Sequence, residues 1–292
     1  MSLAGGDLTT PARVGVWMST GPTLPSAIIS QLIGSMTALI YAKLNRARIF
    51  SQTFTRTFDG VGNMQLVLPD YPVTSVSTVQ QGNALVPPSV LPSPGSSQPL
   101  GTNPGYGYRL ITWNGNLPGE NAVLEFKGGS FYVAPQNVKV TYQAGYLVSQ
   151  EPWTIPVGTP PEVTVLQQQG IWSRDNGVVY ADTGVPLVPV AASPTVGQYI
   201  PPPDATPGLY VFNAADEDAD VLVSYSFIPA SLEEACIQMV AERYTYRARV
   251  GDISKSLGGQ ETMRFRLGIP QEVMAMIQDY VSVVPPNIGA PV

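Results

Sequence analysis

The feature that most constrains this chain is an abrupt change of period at Ile228-Pro229-Ala230-Ser231-Leu232-Glu233-Glu234-Ala235, where its longest β-rich region gives way to a helix. Ser231 followed three residues later by Glu234 has the form of a capping box. The hydroxyl accepts from free backbone N–H groups and the carboxylate complements the positive helix end, together worth about 1 kcal/mol. From there Leu232, Ala235, Cys236, Met239, Val240 and Tyr244 recur at three- and four-residue spacing, which predicts one apolar helix face. Arg243, Arg247 and Arg249 crowd the final turns, where cations complement the negative end, and Gly251 is the expected stop.

A chain of 292 residues is long enough for one large or two small domains. Only 12% of its residues are charged, while 29 prolines and 28 glycines accompany 44% hydrophobic residues, a balance that predicts a loop-rich, β-rich folded protein with a largely uncharged surface. There is no histidine, which excludes Ser-His-Asp and Cys-His catalysis and histidine-containing zinc sites. The single cysteine, Cys236, falls on the apolar helix face and reads as a buried, inert thiol. No basic segment precedes an apolar run at the start, and no uninterrupted apolar stretch approaches a membrane span, so neither a signal peptide nor a membrane helix is expected and folding is expected in a cytosol. Charge is unevenly placed. Residues 57–229 carry four bases against thirteen acids, a net of −9, and the flanking segments carry eleven against eight, a net of +3. No clustered basic readout element accompanies the flanks, which argues against sequence-specific nucleic-acid binding.

Thr10-Pro11 predicts a helix start with Val14, Trp17 and Met18 on one face. A second helix is expected from Thr23–Pro25, its stripe running through Leu24, Ile28, Leu32, Met36, Leu39, Ile40 and Leu44. That stripe can pack on the chain's own C-terminal helix or, in part, on a neighbouring subunit. Period-two alternation then predicts short antiparallel strands at 53–58, 64–68, 106–113, 122–126 and 138–142, with a Pro/Ser/Gly loop at 86–105. Further strands are expected at 163–167, 178–180, 209–212 and 221–227. The segment 252–261 reads as polar and flexible. Pro270 opens a last helix whose Val273, Ile277 and Tyr280 share a face, suited either to docking elsewhere or to folding back.

Candidate chemistry is sparse. Asp216-Glu217-Asp218-Ala219-Asp220 can be a cation site or a solvated turn; the EF-hand spacing and glycine are missing. Gly128-Gly129 and Gly258-Gly259 lack the Lys-Ser/Thr of a phosphate loop. Glu120 with Glu125 is the one carboxylate pair a glycosidase reading can use, and the spacing fits solvated strand residues better. No enzyme activity, cofactor or metal is expected.

In their order, Asp7-Leu8-Thr9-Thr10, the long helix ending in Phe50-Ser51, Phe58-Asp59-Gly60, Tyr71-Pro72-Val73, Val138 to Gly145-Tyr146, and Pro229-Ala230-Ser231-Leu232 leading to Leu257-Gly258-Gly259 and Ile269-Pro270 resemble the head-to-tail connector (adaptor) proteins of tailed bacteriophages. The resemblance covers roughly residues 7–80, 120–147 and 229–283. About eighty residues separate Tyr146 from Pro229, where shorter relatives run almost directly from strand to helix. The resemblance implies an α+β fold, with residues 1–52 and 229–292 as a helical core and docking tail, 53–147 as an antiparallel β region, and 148–228 as an inserted β domain. It implies a structural virion protein of the neck, assembled in host cytoplasm. Such a protein forms a ring, usually of twelve subunits, under the portal protein, extends the DNA channel and presents a surface to the next neck or tail protein. On that reading Arg264, Arg266, Ile269, Val273, Ile277 and Tyr280 are the candidates for portal docking, and Leu32, Met36, Arg243, Arg247 and Arg249 for the subunit interface. The alternative is a receptor- or carbohydrate-binding β module using Trp113, Trp153, Trp172 and Tyr199.

Overall fold

The computed structural model describes residues 6–18, 25–46, 48–89, 105–111, 123–203, 206–247, 254–257, 261–264 and 269–282. Among the described residues four α-helices, α1 (Pro11–Trp17), α2 (Ser26–Leu44), α3 (Ala230–Tyr246) and α4 (Gln271–Gln278), accompany several antiparallel sheets. The expected α+β fold built on a helical core is overturned: the protein is mostly β, 41% strand against 25% helical. The helices touch one another, yet they have no core of their own. One continuous buried cluster runs from Leu8, Ile33 and Cys236 on the helical side to Val221, Tyr225, Phe227 and Trp172 on the strands. The apolar faces of α2 and α3 together are too wide to be covered by each other, and a sheet closes them.

The first β region contains β1 (Gln52–Gly60), β2 (Gln65–Val67), β3 (Val73–Gln81), β4 (Ala84–Val86), β5 (Gly107–Ile111), β6 (Val123–Lys127) and β7 (Ala134–Ala144). These form two antiparallel sheets, ordered β1-β7-β3-β4 and β2-β6-β5, around a second cluster that includes Phe58, Val76, Val140, Tyr142 and Phe126. Alternation explains the arrangement: Val138, Val140 and Tyr142 point in, while Lys139, Thr141 and Gln143 point out.

The second region contains β8 (Leu147–Thr154), β9 (Glu162–Thr164), β10 (Gly170–Tyr180), β11 (Val188–Pro189), β12 (Gln198–Ile200), β13 (Leu209–Phe212) and β14 (Asp220–Pro229), in sheets ordered β10-β14-β8 and β11-β12-β13-β9. A hairpin, β15 (Ser254–Leu257) with β16 (Glu261–Arg264), lies between α3 and α4, its first strand within the segment 252–261 expected to be polar and flexible.

Helix ends divide between expectation and correction. Thr10 caps α1, accepting from the Arg13 N–H at 3.5 Å with Pro11 behind it. The capping box at Ser231 does not form: β14 runs straight into α3, Pro229 occupies the cap position, and Ser231 already lies inside the helix. Its Oγ meets the Tyr280 hydroxyl at 2.8 Å, and Glu234 instead accepts from Gln238. In α2 the expected stripe holds from Leu32 to Leu44, with Met36, Ile40 and Leu44 buried and Leu32 and Leu39 packed on the same core; Ile29, Ile33 and Thr37 widen it, and of the expected residues Ile28 is exposed. By length and composition α2 is also apolar enough to cross a membrane, contrary to expectation, although Ile29, Ile33, Ile40 and Leu44 are spent in the protein's own core.

Candidate functional site

Residues far apart in sequence meet where the helices and the two β regions join. Asn45, in the left-handed conformation with φ of 52°, ends α2 and turns Arg46 inward. The Arg46 guanidinium lies 3.8 Å over the Tyr71 ring and donates from Nη1 to the Tyr71 carbonyl at 2.6 Å. Its Nε and Nη2, and the nearby Tyr146 hydroxyl, are buried without a hydrogen-bond partner among the described residues. Burial raises the Tyr146 phenol far above its ordinary value, against the opposing pull of the Arg46 cation. A cavity of about 10 Å³ beside Arg46, Tyr71 and Gly145 has room for one water.

Tyr146 carries the rest of the junction. Its N–H donates to Ile49 at 2.9 Å, and its ring packs edge-on to Phe227 and Tyr280, with centroids 5.6 and 5.9 Å away. Gly145 before it has φ of +128°, and a Cβ there would stand 2.4 Å from the Phe50 carbonyl, so only glycine fits. After α4 the chain is tied to the same place: the Tyr71 hydroxyl donates to the Val281 carbonyl at 2.6 Å, and Ser282 bonds Leu44 through its N–H and Pro69 through its Oγ. Strand β8 leaves this junction and β14 returns to it, with Leu147 opposite Ser226. Among the described residues the arrangement places no nucleophile beside a base. Its physical effect is to fix the helices and both β regions in one orientation.

A second cluster fastens the N-terminal segment. Glu233, buried at the first turn of α3, accepts from the Thr9 hydroxyl at 3.2 Å and pairs with the half-exposed Arg13, whose Nη2 lies 3.0 Å away. Desolvation raises the Glu233 carboxyl, and Arg13 only partly opposes it. Cys236 is buried and its thiol is pushed up to about 12 by desolvation, as an inert thiol requires.

The acidic run serves as anchorage for neighbouring loops. Asp216, buried, accepts from the Tyr180 hydroxyl at 2.8 Å and from the Gly197 N–H; Glu217 accepts from Gly158, and Asp220 from the Thr154 hydroxyl at 2.6 Å. Beside it Tyr180, Asp182, Asp218 and Asp220 line an open cleft of about 550 Å³. Among the described residues no group of three His, Cys, Asp or Glu side chains is placed to hold a metal.

The residues proposed from sequence separate into three groups. Met36, Val273 and Ile277 are buried in the protein's own core, with Leu32, Ile269 and Tyr280 packed against it. Arg243 and Arg247 are exposed at the end of α3, Arg247 stacked 4.0 Å from the Tyr244 ring. Arg249 and Arg266 lie outside the described residues, and Arg264 is placed only as part of β16. Of the aromatics proposed for ligand binding, Tyr199 is 1% and Trp172 6% exposed, each holding a hydrogen bond inside the sheet region; Trp153 bonds Glu151, and Trp113 is outside the described residues. Glu125 is paired with Arg109 across β5–β6, and Glu120 lies outside the described residues. Arg46, Tyr71 and Glu233 were not among the site residues expected from sequence. The available signal was a charged residue interrupting an apolar face, as Glu233 does between Leu232 and Cys236.

No protein-family model matches this sequence, and no curated protein matches it.

Proposed function

We propose that this chain is a structural subunit of the head-to-tail connector of a tailed bacteriophage, a ring docked under the portal protein that extends the DNA channel and receives the next neck or tail protein. The observation that carries the reading is the junction. Phe50, Tyr71, Gly145, Tyr146 and Ser231, which belong to the stretches that give the resemblance, converge there with Tyr280. The long segment 147–229 leaves and re-enters the chain at neighbouring points, as an insertion into an existing strand-to-helix connection requires. A mostly polar, sparsely charged outer β face, with Thr53, Thr55, Thr57 and Thr141 around Lys139, suits lasting contacts between subunits.

Within this reading, the surface that meets the portal is the exposed end of α3 at Arg243 and Arg247 with the β15–β16 hairpin, since Val273 and Ile277 are occupied in the core. The assembled protein resides in the virion neck after folding in the host cytoplasm.

The test mixes the purified chain with isolated portal rings and images the products by electron microscopy. Rings of this chain stacked coaxially on portals are expected. A chain that stays monomeric and leaves the portals bare would overturn the reading.

A further inference from the structure

Outside the junction, the most chemically arranged place in the molecule is the bulge in edge strand β10. Asp175 pairs with Tyr225 and Val178 with Val223, which leaves Asn176 and Gly177 opposite the single residue Ser224 and outside the regular ladder. Two groups bond this dipeptide. The Gly177 N–H donates to Asp175 Oδ1 at 3.0 Å, and the fully buried Ser226 hydroxyl donates to Asn176 Oδ1 at 3.1 Å. Asp175 is itself fixed by the Tyr199 and Tyr210 hydroxyls at 2.6 and 3.1 Å. Gly177 has φ of +109° and nothing within 4 Å of the place a Cβ would occupy, while Asn176 is exposed to water.

We propose that Asn176-Gly177 is a self-deamidation site, at which the native sheet converts Asn176 to isoaspartate and aspartate. The Gly177 nitrogen is the nucleophile and attacks Asn176 Cγ. As the new C–N bond forms, the amide proton passes to Asp175 Oδ1, and the negative charge gathering on Asn176 Oδ1 is met by the Ser226 hydroxyl, in the manner of an oxyanion donor. The bond from Cγ to the side-chain nitrogen then breaks. That nitrogen takes the proton from Asp175 and leaves as ammonia, so a five-membered succinimide remains. Water opens the ring at either carbonyl, restoring a normal backbone with aspartate or giving isoaspartate with one more methylene in the chain. Both products place a new negative charge beside Asp175, and the longer product loosens β10 from β14. The reaction is a clock set by the fold.

The test incubates the full-length protein at neutral pH, natively and in urea, and follows the peptide containing Asn176 by mass spectrometry for the mass gain of amide-to-acid conversion, with fragmentation to identify isoaspartate. Asn114-Gly115, the other Asn-Gly pair, supplies the unfolded reference rate in urea. The expected result is faster conversion at Asn176 in the native protein than in urea. A Ser226→Ala variant is expected to slow native conversion roughly fivefold, the factor one hydrogen bond is worth. A native rate at or below the urea rate overturns the proposal without any variant. An unchanged rate in folded Ser226→Ala overturns it as well.

Discussion

Replacing Gly145 by alanine should be among the most damaging small changes available to this protein. Two costs add. At φ of +128° an alanine is held in a conformation that only glycine adopts freely, which costs about 1–3 kcal/mol. The new methyl would stand 2.4 Å from the Phe50 carbonyl carbon and oxygen and 2.5 Å from the Ser51 nitrogen, all backbone atoms that cannot rotate away. Relief requires the 49–51 segment to part from 145–146. That sacrifices Tyr146 N–H to Ile49 and strains Gly145 N–H to Pro72, both 2.9 Å, at about 1 kcal/mol each. The sum is about 3–5 kcal/mol, a large share of the ~5–15 kcal/mol that holds a domain together. Urea unfolding followed by tryptophan fluorescence measures it. Gly184→Ala is the control: φ there is +69°, yet nothing lies within 4 Å, so only the conformational cost of about 1 kcal/mol applies. If Gly145→Ala is no more destabilised than Gly184→Ala, the close approach at the junction is refuted.

Other expectations follow from the same packing. Ile277→Ala removes a fully buried side chain from the shared core and should cost about 2–5 kcal/mol in urea unfolding, whereas Met274→Ala, on the exposed side of α4, should be nearly neutral. Tyr280→Phe should lose about 1 kcal/mol through its bond to Ser231 while preserving the aromatic contacts. Glu233 has a carboxyl raised above its ordinary 4.5, so the folded state holds its proton longer than the unfolded state does. Its contribution is therefore fully present below that value and declines as pH rises through the folded value. Glu233→Gln should remove this decline from the stability–pH curve, and Arg13→Ala should extend it to higher pH, because the remaining opposing charge is gone.

Local chemistry made part of the fold legible. Thr10-Pro11 announced α1, Pro270 with Val273 and Ile277 announced α4, and alternation through Val138, Val140 and Tyr142 announced β7. Where local signals were ambiguous, packing decided. Ser231 and Glu234 had the spacing of a cap, but a strand feeding directly into the helix left that role to Pro229. The α2 stripe held from Leu32 to Leu44, but at the start of the helix Ile29 and Ile33 take the buried positions and Ile28 stays exposed.

The first half of β10 was hidden because Ser173 and Arg174 carry no apolar alternation and Asp175 and Asn176 are poor strand formers, the last two held in place by Tyr199, Tyr210 and Ser226 from other strands. The helical core was an inference from where the helices fall in sequence. Their burial belongs as much to Tyr225, Phe227 and Trp172 as to one another, a long-range fact without a local trace. The junction is of the same kind: Arg46, Tyr71, Tyr146, Ser231 and Tyr280 have nothing in common in sequence except that the fold brings them together.

The connector assignment is tested most directly by locating the protein on the particle with a gold-labelled antibody raised against it, applied to purified virions and assembly intermediates. Label is expected at a single vertex, in the neck between head and tail. Label along the tail tip or on fibres, or no label on any particle, would contradict it.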